Sequence, residues 1–258
     1  MSDSESKPNK NSRANVVLFA LMVSVVCSLM ITAAATGLRQ RQQENIALDR
    51  KVNLLRAAGM VPSGEKPLAE EIKNLFDTRI REKTVNNQGD LVGPGTDQGM
   101  RIYLITSAEV PDQVDGYILP INTRGLWGKI HGYLAFENDG QTVAGFSVYS
   151  HAETPGLGGE IESAWFQKNF KGKKIINSQG QFVSIRIAKG EVENLPKDKR
   201  PNHVDGISGA TLTGQYLSEG IENTLEKYES VSVSFRQRGG KDVNPNKKSH
   251  KDTDGETH

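Results

Sequence analysis

Cysteine is almost absent from this chain: one residue among 258, Cys27, inside an N-terminal apolar run. No intramolecular disulfide is possible, and no zinc or iron–sulfur centre can be built from cysteines. An excess of one charge is missing as well. The 32 Lys and Arg residues face 31 Asp and Glu, a net charge of +1, so nothing points to nucleic acid. Metal-site signatures are also lacking. His151, Glu153, His203 and Asp205 form two pairs at i, i+2 spacing, outside any His-Glu-x-x-His pattern. They read as solvated loop residues, and no metal is expected. A dinucleotide fold is unsupported too, because the Gly-rich run Glu153–Glu160 is not G-x-G-x-x-G and no βαβ pattern surrounds it. Gly206-Ile207-Ser208-Gly209-Ala210 stops one residue short of the hydrolase elbow G-x-S-x-G. No buried strand is expected before it, and only His250 and His258 follow Ser208. An α/β-hydrolase needs its triad His after the Ser, so that reading falls.

What the chain has in one long piece is apolar sequence. Residues 14–38 contain 25 residues without a charge, enough for one helix across a hydrocarbon core of roughly 30 Å. Ser24, Ser28, Thr32 and Thr36 form a stripe of small hydroxyl residues along it, which suits a neighbouring membrane helix. Ala33-Ala34-Ala35 resembles a signal-peptide cleavage site, but the run is long for a signal sequence, so an uncleaved anchor is expected. Lys7, Lys10 and Arg13 precede the span, while Arg39, Arg41, Arg50, Lys51 and Arg56 follow it. Counted literally, the positive-inside rule favours a cytoplasmic C-terminal part or at best abstains, so composition does not settle the orientation.

Five segments are expected: a polar tail over 1–13, the membrane helix over 14–38, a helical stalk and linker over 39–99, a folded domain over 100–236, and a charged tail over 237–258. Leu48, Val52 and Leu55 keep helical spacing until Gly59, Pro62, Gly64 and Pro67 interrupt it. A second amphipathic helix carries Leu68, Ile72, Leu75, Phe76 and Ile80, and residues 86–99 read as a loop. Strands are expected at Arg101–Ser107, Tyr117–Ile121, Ile130–Glu137 and Thr142–Ser150, with Asp139-Gly140 as a hairpin turn. A short helix near Ser163–Phe170, a half-buried strand over Phe182–Ala188, a long helix after Thr213 and a last strand over Val231–Phe235 complete the pattern. The fold class is α+β: one N-terminal transmembrane helix, then a mainly antiparallel sheet with flanking helices.

The stretch with most chemical character is Asp205-Gly206-Ile207-Ser208-Gly209-Ala210-Thr211-Leu212-Thr213. It precedes Leu217, Ile221, Leu225 and Tyr228, which share one helix face. A Gly-rich turn opening a helix presents unpaired N–H groups and the positive end of the dipole, a place for phosphate. The plainer alternative is an ordinary N-cap provided by Ser208 or Thr211. Two further loops stand out. Gly125-Leu126-Trp127-Gly128 sets an aromatic between glycines, either a core residue or a plane for a flat ring. In Glu153-Thr154-Pro155-Gly156-Leu157-Gly158 the Pro-Gly turn pushes Leu157 outward.

In this order and after one N-terminal span, these three stretches resemble the covalent FMN-binding domains. Over roughly residues 14–230 the chain looks like the family of C subunits of bacterial sodium-translocating NADH:quinone oxidoreductases. That resemblance implies FMN held by a phosphoester to Thr211, rather than Thr213, and installed by a flavin transferase that uses FAD. Ser208, Gly209 and Ala210 would then adjoin the phosphate, and Asp205 would serve the transferase reaction. Trp127 and Leu157 would flank the isoalloxazine, with Glu153 and Thr154 lining it. It also implies a one-electron relay within a six-subunit membrane complex that passes electrons from NADH to ubiquinone and pumps sodium, with no acid–base catalysis in this chain. The domain would be periplasmic, on the outer side of the bacterial inner membrane, against the charge count above. Two rivals are the G subunit of the Rnf ion-translocating complex, shorter before the domain, and a membrane-tethered interaction protein without flavin.

Overall fold

A computed structural model describes residues 10–62, 64–65, 67–92, 99–110 and 113–238. Most of the two expected tails, 1–13 and 237–258, lies outside these residues. The chain divides into two units, residues 1–47 and 48–258. The first unit holds most of helix α1 (Lys10–Ala57), which is long and apolar enough to cross a membrane. Residues 13–47 are exposed throughout. Two of the four residues in the hydroxyl stripe bond to their own helix: Ser24 and Thr32 donate to the carbonyls of Ala20 and Ser28 at 2.8 Å.

The second unit is a six-stranded antiparallel sheet covered by helices on both faces. After the last turns of α1 come α2 (Ala69–Arg79), β1 (Ile80–Val85), β2 (Leu91–Val92), β3 (Met100–Thr106), β4 (Val114–Arg124), β5 (Lys129–Glu137) and β6 (Val143–Ser150). Then follow α3 (Ala164–Lys168), β7 (Arg186–Ile187), β8 (His203–Val204), α4 (Thr211–Lys227) and α5 (Glu229–Arg238). The sheet order is β2-β1-β3-β4-β5-β6. Side chains alternate between the faces, as the pleat requires. Tyr103, Ile105, Ile118, Tyr133 and Ala135 meet Leu54, Leu55 and Ile72 of α1 and α2. Ile102, Leu104, Tyr117, Leu119, Leu134 and Phe136 meet Leu217, Ile221, Leu225 and Phe235 of α4 and α5.

Four expectations need correction. The sheet starts inside the stretch expected as stalk and linker: β1 and β2 add two strands before β3. The charged residues of Ile80-Arg81-Glu82-Lys83-Thr84-Val85 hide that strand, of which only Ile80 and Val85 are buried. Val231–Phe235 is helical. Tyr228, Val231, Ser232 and Phe235 are buried together; the ring centres of Phe235 and Tyr117 are 4.4 Å apart, and the Tyr117 hydroxyl meets the Ser232 hydroxyl at 2.9 Å. Packing thus overrides β propensity. Over Phe182–Ala188 only Arg186–Ile187 is strand, because Ser184 sits at φ 62° and is buried beside Ile185. Lastly, His203–Val204 is a short strand parallel to β7 with Val204 fully buried, so a strand does precede the Ser208 turn.

Two local features place the site. Pro120 lies in β4 beyond its last pairing with β3, at Ile118, where a missing N–H costs no ladder bond. From there the β4–β5 hairpin runs on as a pair to Arg124–Lys129 and closes through Gly125, whose N–H donates to the Gly128 carbonyl at 2.6 Å. On the helical side, β8 delivers the chain through Asp205–Ala210 into α4, a helix of 17 residues packed on β4. Gly220 makes that packing possible, since a Cβ there would overlap the side chain of Thr123.

Candidate functional site

Three loops converge at the end of the sheet. The first is the hairpin tip Gly125–Gly128, beside a cavity of about 570 Å³ lined by residues 122–129. That volume is in the range of small-molecule sites. The second follows β6 and runs from His151 through Glu153 to a 3-10 turn over Gly158–Glu162. The third is the Asp205–Ala210 turn into α4.

Glu153 joins them. Its side chain is buried at 4 % exposure. Oε1 accepts the Trp127 N–H at 3.0 Å and Oε2 accepts the Thr213 hydroxyl at 2.5 Å. A Cβ on Gly158 would stand 2.5 Å from Thr213 Oγ1 and 2.8 Å from Glu153 Oε2, so any side chain there would have to displace that pair. Leu157 meets the third loop directly: a Cβ on Gly209, which has φ 73°, would stand 2.8 Å from Leu157 Cδ2. Arg124 adds a cation–π contact across to α4, 5.1 Å from the Tyr216 ring centre.

The hydroxyls of the motif have distinct places. Thr213 is buried, 1 % exposed, and turned inward to Glu153. Thr211 is exposed and opens α4, and Ser208 and Gly209 are exposed beside it. The plainer alternative, an N-cap by Ser208 or Thr211, is not formed: the N-cap is Ala210, with no side-chain capping bond. The helix end is thus left with its first N–H groups and positive dipole without a capping side chain. Ala210 itself belongs to the main core. Trp127 is 70 % exposed and Leu157 44 % exposed, so neither is a core residue.

Two residues of these loops take no part in the contacts of Glu153. Thr154 is exposed, and its carbonyl closes the loop by accepting from Leu157 and Gly159 at 3.2 and 2.9 Å. Asp205 accepts the Val192 N–H at 2.7 Å and lies near Lys173. Partial burial holds the Lys173 ammonium below its ordinary pKa, and the charge of Asp205 opposes that shift. His203 contacts the Lys199 carbonyl at 2.8 Å. The four residues weighed as metal ligands all have protein contacts of this kind.

Sequence reasoning missed Thr213 as the partner of Glu153; nothing in the spacing of residues sixty apart announces that bond. It also passed over Leu126 and Leu212, 38 % and 50 % exposed. Their signal was position: one adjoins Trp127, the other the Thr211 hydroxyl. Large apolar side chains left open around a polar helix end are the sort of surface that a ligand or partner covers.

Comparison with known proteins agrees with this geometry. Residues 125–226 match the FMN-binding domain family, a span that runs from the hairpin tip almost to the end of α4. The C subunit of the Na(+)-translocating NADH-quinone reductase from Yersinia pestis is 34 % identical over 251 residues, covering 86 % of this chain and 90 % of that one. Its counterpart from Pseudomonas aeruginosa is 33 % identical, covering 84 % and 91 %. The chain belongs to the family of C subunits of Na(+)-translocating NADH-quinone reductases. A crystal structure of the C subunit from Parabacteroides distasonis superimposes with a TM-score of 0.64 at 28 % identity, covering 76 % of this chain and 97 % of that one. Likeness to these C subunits extends beyond the matched domain, since the aligned 86 % of the chain is far more than residues 125–226 alone.

Proposed function

We propose that this protein is a membrane-anchored flavoprotein subunit that carries FMN on Thr211 and relays electrons inside a sodium-pumping NADH:quinone reductase. Family membership supports the setting. The observation that carries the site is the contrast between two threonines: Thr211 exposed at the uncapped start of α4, Thr213 buried against Glu153. A phosphoester on Thr211 would lie where helix N–H groups and dipole favour an anion. Thr213 has no access for a transferase.

The donor set fits a flavin phosphate. Ser208, Gly209 and Ala210 form the turn before the helix, small enough for close approach. Trp127 and Leu157 offer exposed apolar surface to a flat ring, and Glu153 and Thr154 stand in the loop that carries Leu157. Bound FMN would supply one-electron chemistry; the residues here position it, restrict water and bias its potential through hydrogen bonds. No residue of the chain is assigned acid–base catalysis. Asp205, bonded to Val192, would serve maturation by holding the motif turn in the shape a flavin transferase reads.

In the same reading, the apolar length of α1 anchors the chain in the bacterial inner membrane, and the folded unit faces the periplasm as part of a six-subunit complex. The five segments expected from sequence keep their roles, with the folded domain taken to begin before residue 100. Flavin fluorescence of the full-length chain after denaturing electrophoresis tests the reading. A signal retained in Thr213→Val and lost in Thr211→Ala is expected. A signal that survives Thr211→Ala would remove Thr211 as the acceptor.

A further inference from the structure

The geometry points to His151 as a positioning residue that sets the flavin site from behind Glu153. Its ring is nearly enclosed, with the side chain 12 % exposed. Nδ1 accepts the Glu153 N–H at 3.1 Å. Nε2 lies 3.2 Å from Oε2 of Glu162. A Cβ on Gly159 would meet His151 Cε1 at 3.4 Å, so the ring lies against the backbone of the turn that carries Leu157 and Gly158.

These contacts select one tautomer of the neutral ring. An imidazole nitrogen that accepts an N–H carries no proton, so the single proton of the neutral ring is on Nε2, pointing at Glu162. A second proton on Nδ1 would set two donors against each other, His151 N–H against Glu153 N–H. Glu162 thus holds the ring in the tautomer that can accept from Glu153. The same residue, Glu153, then reaches forward with its carboxyl group to the Trp127 N–H and the Thr213 hydroxyl. The line of contacts runs from Glu162 to the His151 ring, to the Glu153 backbone, and through its side chain to Trp127 and Thr213. This is the logic by which outer hydrogen bonds orient the groups that touch a cofactor.

The inference rests on the flavin reading, because what His151 positions is the loop set proposed to hold FMN. Its consequence is a shift in the flavin midpoint potential when the Nδ1 acceptor is lost, since the potential follows hydrogen bonding and loop placement around the ring. Two substitutions separate the roles of the two nitrogens. In His151→Asn, Oδ1 replaces Nδ1 as acceptor for Glu153, and the contact with Glu162 is lost. In His151→Gln, an amide reaches toward Glu162, and the acceptor next to Glu153 is lost.

The test is a redox titration of full-length protein carrying covalent flavin, in detergent, for wild type and both variants. The expected result is a wild-type midpoint and flavin spectrum in His151→Asn, with both displaced in His151→Gln. Equal displacement in the two variants, or none in either, overturns the proposal. A second measurement needs no flavin: nitrogen-15 NMR of histidine-labelled full-length chain near neutral pH, with the His151 signals identified by their loss in His151→Asn. Protonated Nε2 and bare Nδ1 are expected; a protonated Nδ1 overturns the proposal even if His151→Gln does not fold. Absence of covalent flavin from wild type would refute the proposed function, while the NMR result would still decide the state of His151.

Discussion

Thr213→Val removes one hydroxyl and little else, and its cost can be worked from the contacts. The Thr213 side chain is 1 % exposed and donates to Glu153 Oε2 at 2.5 Å. Valine keeps the shape, so no cavity term enters. What is lost is the donor to a buried carboxyl oxygen, with Gly158 packed against both groups so closely that a Cβ would stand 2.5 Å from one and 2.8 Å from the other. A buried polar atom stripped of its partner costs about 1–3 kcal/mol. In a folded unit of this size, each kcal/mol lowers Tm by roughly 2–4 °C, so a fall of about 4–8 °C is expected for a mid-range loss of about 2 kcal/mol. Thermal unfolding of the full-length protein in detergent, followed by circular dichroism, measures it. The double variant with Glu153→Gln should be less than additive, because both changes act on one bond. A Tm within about 1 °C of wild type, below the roughly 2–4 °C that each kcal/mol is worth, would refute the buried pairing.

Two other expectations concern turns in the folded unit. Gly140 has φ 68°, and a Cβ there would stand 2.5 Å from the Ser232 carbonyl oxygen and 2.8 Å from Phe235 Cβ. Gly59 has φ 71° with nothing within 4 Å, so Gly59→Ala should cost about 1–2 kcal/mol from backbone strain alone, and Gly140→Ala clearly more; chemical denaturation of the two variants compares them. Asp139 in the same turn as Gly140 is partly buried, which alone would raise its pKa, but hydrogen bonds from the Thr142 side chain and the Gln141 and Thr142 backbone outweigh this and hold it below the usual carboxylate range. A depressed carboxyl pKa adds stability above the unfolded value and loses it as pH falls through the folded one. The stability gap between wild type and Asp139→Asn should therefore shrink below about pH 4, and a gap that widens there would contradict the assignment.

Much of the sheet was legible in sequence because its central strands obey a period of two and are separated by strong turn signals. Tyr117, Leu119 and Ile121 alternate with Ile118, and Asp139-Gly140 forms the expected turn, with Asp139 Oδ1 accepting from Gln141 and Thr142 at 3.0 and 2.8 Å. Strands β1 and β2 were hidden for the opposite reason. The residues of β1 face solvent often enough to be charged, and it is pairing with β3 on one side and β2 on the other that makes it a strand. Val231–Phe235 misled because valine, serine and phenylalanine alternate there; the Tyr117 ring and hydroxyl select the helical arrangement. In the site, glycines and hydroxyls marked loops that the fold brings together, yet the bonds between them run over distances no local pattern encodes. Glu153 touches Trp127, 26 residues before it, and Thr213, 60 residues after it. The choice of Thr211 over Thr213 came from resemblance in the sequence; burial now supplies a physical reason for it.

The measurement that bears most directly on the central claim is mass spectrometry of the protein purified from its native membranes, digested with trypsin. Residues 200–227 fall in one peptide containing Ser208, Thr211 and Thr213. A flavin-phosphate adduct localised to Thr211 by fragmentation is the expected result. An unmodified peptide, from cells that attach flavin covalently to other proteins, or an adduct localised to Thr213, would contradict the account.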